Sequence, residues 1–324
     1  MSKRLRFFVP SGTQKQPLQN VYFPKLGIML SDKKYPEPCA VWGNFELIWA
    51  DRRSIPDLLS EGLGDVGITG YDIYLEYNCK TGKELRTVVD LPFTRAGNDF
   101  SRLVFVSRPE CVERQARFVV TEYPNLCRRV LCESLPEVHC SITQIDGNEE
   151  MWLAEQEADS AFIVSDTGNS IARLGLVEVE AVKSIRSCPR IFTRQPTLGR
   201  PVPRCVEDFA WALRAVVLAK KHVMVTFDIP KEALSYLDLP SEVSPTAMDL
   251  YGKPDWVAGT ICIDREEFGR VGRKIEKAGG RAIVMQDVEA YQEGKKDNGK
   301  DASPRRYPDS PAPPPRPDDG SYRH

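Results

Sequence analysis

The sequence predicts an α/β protein: two doubly wound α/β domains, then a small C-terminal domain of ferredoxin-like βαββαβ order. Three observations carry this expectation. The 324 residues are 41% hydrophobic and 28% charged, an ordinary globular balance in a chain long enough for two or three domains. Up to about residue 220, short apolar runs alternate with helical patterns, which implies largely parallel strands under covering helices. Between His222 and Met285 the order changes to strand, helix, strand, strand, helix, strand.

Leu5 to Val9 reads as a first buried strand, and Pro10, Ser11 and Gly12 form the turn that ends it, where open sheets commonly contact ligands. Residues 13–40 are polar and proline-rich without periodicity, and no element is assigned to them. Phe45 to Ala50 reads as a strand. Ser54 is placed to cap the helix that follows it, with Pro56 in the first turn, where its missing N–H costs least. Asp65 to Ile68 is a short strand that runs through Thr69 and Gly70 into another helix. A hydroxyl and a glycine thus stand at the carboxyl end of a strand, although Gly67 and Gly70 could equally serve tight packing.

Arg102 to Ser107 and Arg117 to Val120 are continuous apolar strands of the kind a covered sheet requires. Glu122 to Glu133 is a turn and helix carrying Arg128 and Arg129. Ser141 to Ile145 is a strand that ends at Asp146-Gly147-Asn148, before a helix bearing Glu149 and Glu150. The stretch Glu157 to Ile171 is the most informative. Its apolar strand ends in a polar loop, Ser165 to Ser170, and a helix opens near Asn169. Backbone N–H groups and the positive end of a helix make such a junction a site for phosphate. Asp, Thr, Gly and Ser also build ordinary turns and caps, so the pattern alone leaves both readings open. Val177 to Val182 and Arg190 to Arg194 read as strands, and Val206 to Lys221 as a long helix.

The bulk properties exclude several classes. A net charge of −2 and a pI near 6.1 show no basic excess that would require nucleic acid or an anionic membrane as partner. Nine cysteines without a C-x-x-C spacing read as reduced thiols of a cytoplasmic protein. Three histidines, one at the C-terminus, argue against a His-based zinc site or a Ser-His-Asp relay. The apolar run before Pro10 is too short for a signal peptide, and no run of about 18 apolar residues predicts a membrane span. From Glu293 the chain is charged and then proline-rich, which predicts a disordered tail over 293–324.

Several motifs, taken in order, carry a resemblance. They are Asp65-Val-Gly-Ile-Thr-Gly-Tyr-Asp72, Thr121-Glu-Tyr-Pro-Asn-Leu-Cys-Arg-Arg129, Gly147-Asn-Glu-Glu150, and Ala158-Asp159 with Asp166-Thr-Gly-Asn-Ser-Ile171 and Gly175-Leu176. Ser244-Pro-Thr246, Trp256-Val-Ala258 and Gly279-Gly-Arg-Ala-Ile-Val-Met285 follow in the last domain. Together they resemble the ATP phosphoribosyltransferase that opens histidine biosynthesis, in its long form with a C-terminal regulatory domain. The resemblance covers nearly all of residues 4–290.

It implies two α/β domains that form a cleft in the manner of periplasmic binding proteins. The first would span 1–97 with 188–220 and the second 98–187, before a regulatory domain over 221–292. The implied reaction joins N1 of ATP to C1 of phosphoribosyl pyrophosphate and releases pyrophosphate, with Mg²⁺ on the phosphates. By the same resemblance Asp166 and Thr167 are the catalytic residues, and with Gly168, Asn169 and Ser170 they cradle the phosphoribosyl donor. Thr69, Gly70, Tyr123, Asn125, Gly147 and Glu150 line the facing cleft for ATP and pyrophosphate, and Ser11 and Gly12 of the first loop are further substrate-binding candidates. Arg128 is expected to turn inward as an anion contact. Thr246 and Ala258 mark the regulatory ligand site, histidine being the implied feedback ligand, and a homo-oligomer is expected.

The chain departs from the family pattern at ligand positions. Ile163 stands where an acid is usual and Asp166 where Glu is common. Ser11-Gly12-Thr13 replaces a Lys-Gly-Arg loop, and Met248 replaces a serine. A transferase with a different acceptor, or a non-catalytic regulatory homologue, is therefore the alternative reading.

Overall fold

The computed structural model describes residues 4–33, 35–111, 118–194, 201–240, 243 and 245–292. The expected tail over 293–324, Ser244 and Arg117 lie outside these residues. Three sheets organise the chain. The first contains β1 (Leu5–Pro10), β2 (Ala40–Trp42), β3 (Phe45–Ala50), β4 (Val66–Gly70) and β5 (Leu85–Asp90). The second contains β6 (Ser101–Ser107), β7 (Phe118–Thr121), β8 (Ser141–Gln144), β9 (Ser160–Ser165), β10 (Val177–Glu178) and β11 (Ile185–Ser187). The chain then returns to the first sheet as β12 (Pro189–Arg194), which enters between β4 and β5 and gives the order β2-β3-β1-β4-β12-β5.

Both sheets are mixed, each with one run of three parallel strands: at the centre of the first sheet, and reaching the β8 edge in the second. β1 runs parallel to β3 and β4, and β7 runs parallel to β8 and β9. β12 and β6 run antiparallel to their neighbours. The expected strand Val177 to Val182 pairs with β6 only over Val177–Glu178, before the chain turns at Val179 to Val182.

Side-chain alternation in β1 sends Phe7 and Phe8 to opposite faces. Phe7 packs edge-on against Phe209 of the helix Arg204–Ala219, with ring centroids 5.0 Å apart. Phe8 joins Ile55 and Leu59 of the helix Ile55–Ser60 in a second core, which also takes in Leu103, Leu126 and Phe162 from the other lobe. That shared core runs beneath the helices Tyr71–Thr81 and Pro124–Ser134 and ties the two lobes together. Gly82, at φ 70°, ends the first of these helices in a conformation a side chain would resist.

Ser54 makes no capping hydrogen bond, because its backbone is already helical (φ −82°, ψ −19°) and its N–H closes a turn onto Asp51 O. The unassigned stretch over 13–40 contains an irregular helical run from Gly12 to Lys25 that buries Leu18, Tyr22 and Phe23.

The C-terminal domain has the order expected of a ferredoxin-like βαββαβ unit. It comprises β13 (His222–Pro230), a short helix Lys231–Ser235, β14 (Thr246–Leu250), β15 (Lys253–Asp264), the helix Phe268–Lys277 and β16 (Arg281–Asp287). All strand pairs are antiparallel, in the order β14-β15-β13-β16. Val223, Val225, Phe227 and Ile229 alternate inward from β13 onto Val271 and Ile275. Gly259 has no room for a side chain, since a Cβ there would lie 2.6 Å from the Phe227 ring. Beyond β16 the chain turns back, and Tyr291 stacks on His222 with ring centroids 3.6 Å apart. Among the described residues no helix is long and apolar enough to cross a membrane, and all nine cysteines are free thiols.

Candidate active site

The carboxyl ends of β4, β7 and β9, with the loop before β6, surround a cavity of about 330 Å³ between the two lobes. Strand ends of open α/β sheets are where backbone N–H groups and short loops can reach a ligand. Each wall has a local cause in sequence.

On the first lobe, Thr69 is fully buried and its hydroxyl donates to Arg52 O at 2.8 Å, which holds the turn after β3 in place. Arg52 lines the cavity, and its neighbour Arg53 crosses to the second lobe, where it meets Glu122 at 2.8 Å and Asp146 at 2.6 Å. Gly70 must lack a side chain, because a Cβ would come within 2.3 Å of Asp72 Oδ1. Asp72 is buried against the cavity and accepts hydrogen bonds from the Ser187 hydroxyl (2.7 Å) and the Tyr123 hydroxyl (2.6 Å).

On the second lobe, Thr121 at the end of β7 accepts from Tyr123 N–H and fixes the turn that presents Glu122 and Tyr123. The next helix begins at Pro124, and its first free N–H groups are taken from outside the helix. Glu76 accepts from Asn125 N–H (3.1 Å), the Asn125 side-chain amide (2.6 Å) and Leu126 N–H (2.7 Å). Gly147 and Asn148 both have positive φ, 82° and 62°, and this turn brings Glu149 and Glu150 to the cavity wall. After β9, Asp166 accepts from Ala96 N–H (2.9 Å) and the Asn98 amide (3.0 Å), which pins the loop between the lobes to the Asp166–Ser170 loop.

Electrostatics vary sharply within this space. Burial, reinforced by Glu122 and Glu150, raises the Glu149 carboxyl from its usual range to about 7. Burial and then the adjacent Asp72 push the Tyr123 phenol well above its ordinary value. Cys188 also lines the cavity, but burial first, and Asp90 second, raise its thiol to about 12, so it stays protonated and is a poor nucleophile.

Of the residues expected from sequence, Tyr123, Glu150 and Asp166 line this cavity. Thr69 and Gly70 stand directly behind it as supports. Asn125 is committed to Glu76. Arg128 is exposed, which corrects the expectation that it turns inward: on this helix Arg129 is the more buried, 3.7 Å from Glu133. Thr167, Asn169 and Ser170 lie exposed on the loop after β9, where Asn169 N–H approaches the Thr167 hydroxyl at 3.4 Å and Gly168 adopts φ 74°. Ser11 N–H bonds Ala50 O at 2.8 Å, and Gly12 is exposed at φ 80°. Gly147 shapes the turn before Glu149. In the C-terminal domain Thr246 is exposed on β14 and pairs with Thr260, while Ala258 on β15 pairs with Met248.

Sequence reasoning overlooked Arg52, Asp72, Arg95, Glu122, Glu149 and Ser187, all of which line the cavity. Asp72, Glu122 and Glu149 sit inside motifs that stood out in the sequence, so the signal was adjacency to those motifs. Ile163 lies on β9, 3% exposed, against Val104 and Ile171, and also reaches the cavity wall. Among the described residues no group of three or more His, Cys, Asp or Glu side chains is arranged to hold a metal ion.

The chain is similar to known proteins over both of its parts. The family model described as ATP phosphoribosyltransferase matches residues 52–195, and the model of that family's C-terminal domain matches 219–290. An ATP phosphoribosyltransferase of Salinispora tropica is 29% identical over 253 residues, covering 76% of this chain and 84% of its own length. One from Sulfolobus acidocaldarius is 23% identical over 296 residues, covering 88% of this chain and 99% of its own. Among solved structures, a chain of the ATP phosphoribosyl transferase (HisG:HisZ) complex from Thermotoga maritima superposes with a TM-score of 0.52 at 20% identity. It covers 66% of this chain and 98% of that one, and the likeness is one of fold.

Proposed function

The chain belongs to the ATP phosphoribosyltransferase family, and we propose that it joins N1 of ATP to C1 of phosphoribosyl pyrophosphate, releasing pyrophosphate, as the first step of histidine biosynthesis. The observation that carries this reading is the cavity between the lobes. It sets the cations Arg52 and Arg95 beside Tyr123, Glu149, Glu150 and Asp166, at the ends of the strands that bear the family's motifs.

The displacement needs no covalent intermediate. It needs two polyphosphate substrates held in line and charge neutralised on the departing one. Arg52 and Arg95 are the side chains suited to that second task, since a guanidinium fork matches a phosphate in shape as well as charge. The exposed hydroxyls and N–H groups of Thr167 to Ser170 are available to the 5-phosphate and ribose of the donor. Asp72, Tyr123 and Ile163 form the buried part of the same wall.

Mg²⁺ fits this donor set as an ion carried by the phosphates, because such an ion keeps most of its ligands from substrate and water and asks for only one or two protein carboxylates. Asp166 is the residue that would face it, and the ion would supply charge neutralisation there. The open strand face bearing Thr246, Met248 and Ala258 is the proposed site of feedback by histidine, with Met248 altering its fit. Self-assembly in the cytoplasm completes the proposal, supported by the ferredoxin-like domain; the Thermotoga maritima neighbour is itself part of a complex.

The test is direct. Purified chain with ATP, phosphoribosyl pyrophosphate and Mg²⁺ should release pyrophosphate. Absence of turnover, with Thr167→Val indistinguishable from wild type in donor binding, would overturn the reading.

A further inference from the structure

Of the carboxylates around the cleft, Asp72 is held by two hydroxyls, Glu122 by Arg53, and Asp166 by Ala96 and Asn98. Glu149 and Glu150 line the cavity with no cation paired to them among the described residues, and of the two Glu149 is the buried one, 7% exposed, its carboxylate met by the backbone N–H groups of Glu149 and Glu122. A buried acid facing a substrate cavity without a counter-charge is expensive to keep, and such groups concentrate at functional sites.

We propose that Glu149 is a catalytic residue of the reaction described above, taking the proton that leaves the exocyclic amino group of the adenine when N1 is alkylated. The inference rests on that reading of the reaction. As the N1 lone pair forms the bond to C1, the C1–O bond breaks and its electron pair leaves with pyrophosphate. The alkylated base then carries one positive charge shared between N1 and the 6-amino nitrogen, which acidifies the N6–H. Transfer of that proton to the Glu149 carboxylate leaves a neutral 6-imino base and a carboxylic acid, and the acid returns its proton to water as products depart.

The setting suits the task. Burial, with Glu122 and Glu150 nearby, raises the Glu149 carboxyl to about 7, where a base is both available and effective near neutral pH. Glu122 faces it from the end of β7 with Arg53 and Arg52 behind, and Glu150 is next on its own helix. Tyr123, Asp72, Arg95 and Asp166 border the same space. An amino group at position 6 is also what a carboxylate would choose over an oxo group, so the residue favours adenine over hypoxanthine as acceptor.

The experiment follows pyrophosphate release by the full chain between about pH 5.5 and about pH 9, with calorimetric titration of the donor as a control. Wild-type kcat is expected to fall about tenfold per pH unit below about pH 7. In Glu149→Gln that limb should vanish and kcat drop by about 10² to 10⁴, with donor affinity unchanged. Glu149→Asp, which keeps a base, should recover the limb and part of the rate. A Glu149→Gln enzyme that retains the acid limb overturns the inference while leaving the reaction intact, and so does loss of donor binding in step with kcat. A wild type that releases no pyrophosphate at any pH overturns the functional reading itself.

Discussion

The Tyr123 hydroxyl donates to Asp72 Oδ2 across 2.6 Å, and through it the second lobe grips the helix that begins the other wall of the cleft. Ser187, just before the chain re-enters the first sheet, holds the second oxygen of the same carboxylate. Both groups are buried, so the interaction is made away from water and each partner depends on the other.

Tyr123→Phe is therefore expected to cost about 1–3 kcal/mol, the range for leaving a buried charged acceptor short of a donor. Urea unfolding of the two single variants and of Tyr123→Phe/Asp72→Asn measures it. The double variant should lose clearly less than the sum of the singles, and additive losses would mean that the bond contributes little.

Thr69→Val keeps shape but removes the hydroxyl that holds Arg52 O. A loss of about 1–2 kcal/mol is expected. Because Arg52 borders the cleft and is proposed to neutralise the departing pyrophosphate, kcat should fall while KM for ATP stays nearly constant; a stability loss without any change in kcat would show that Arg52 stays in place unaided.

Glu149→Gln should stabilise the protein in alkaline solution. In the folded chain the carboxyl, raised to about 7, keeps a proton that the unfolded chain has already released, so wild-type stability declines as pH rises from about 4.5 to about 7. The variant is neutral throughout. It should match wild type near pH 4 to 5 and exceed it by up to about 3 kcal/mol near pH 8. Thermal melts at the two pH values decide, and equal melting temperatures at the higher one would contradict the expectation.

Thr167→Val changes an exposed loop hydroxyl whose one hydrogen bond among the described residues is the long approach from Asn169 N–H. Melting temperature should stay constant while donor affinity falls by about 1–3 kcal/mol, as for loss of a hydrogen bond to a charged group. Donor titration by calorimetry reads this, and unchanged affinity would remove Thr167 from the site.

Much of the architecture was legible because it is local. Short continuous apolar runs identify β1, β6 and β9, and the βαββαβ order of the last domain follows from the order of its elements alone. What was not legible depends on distance along the chain. The helical run from Gly12 to Lys25 is broken into short turns around Pro17 and Pro24, and its anchor residues Leu18, Tyr22 and Phe23 show no steady period. Asp72 stands in a helix's first turn, and only the folded chain brings Tyr123, 51 residues away, against it. Nothing near Arg52 and Arg53 in sequence announces that Arg53 meets Glu122 and Asp146 on the other lobe. The hold on Asn125 was hidden for a related reason: a helix start shows in sequence, whereas the Glu76 carboxylate that caps it comes from a separate helix.

The placement of β12 sets a timetable for synthesis. β5 joins the first sheet only through β12, so Leu85–Asp90 has no strand to lie against until Pro189–Arg194 has left the ribosome. The second lobe is made in that interval and can complete itself first. The nascent chain is thus expected to carry a finished inner lobe inside an unfinished outer one, and pulse-labelled hydrogen exchange on released chains truncated before residue 189 should find 160–165 protected and 85–90 open.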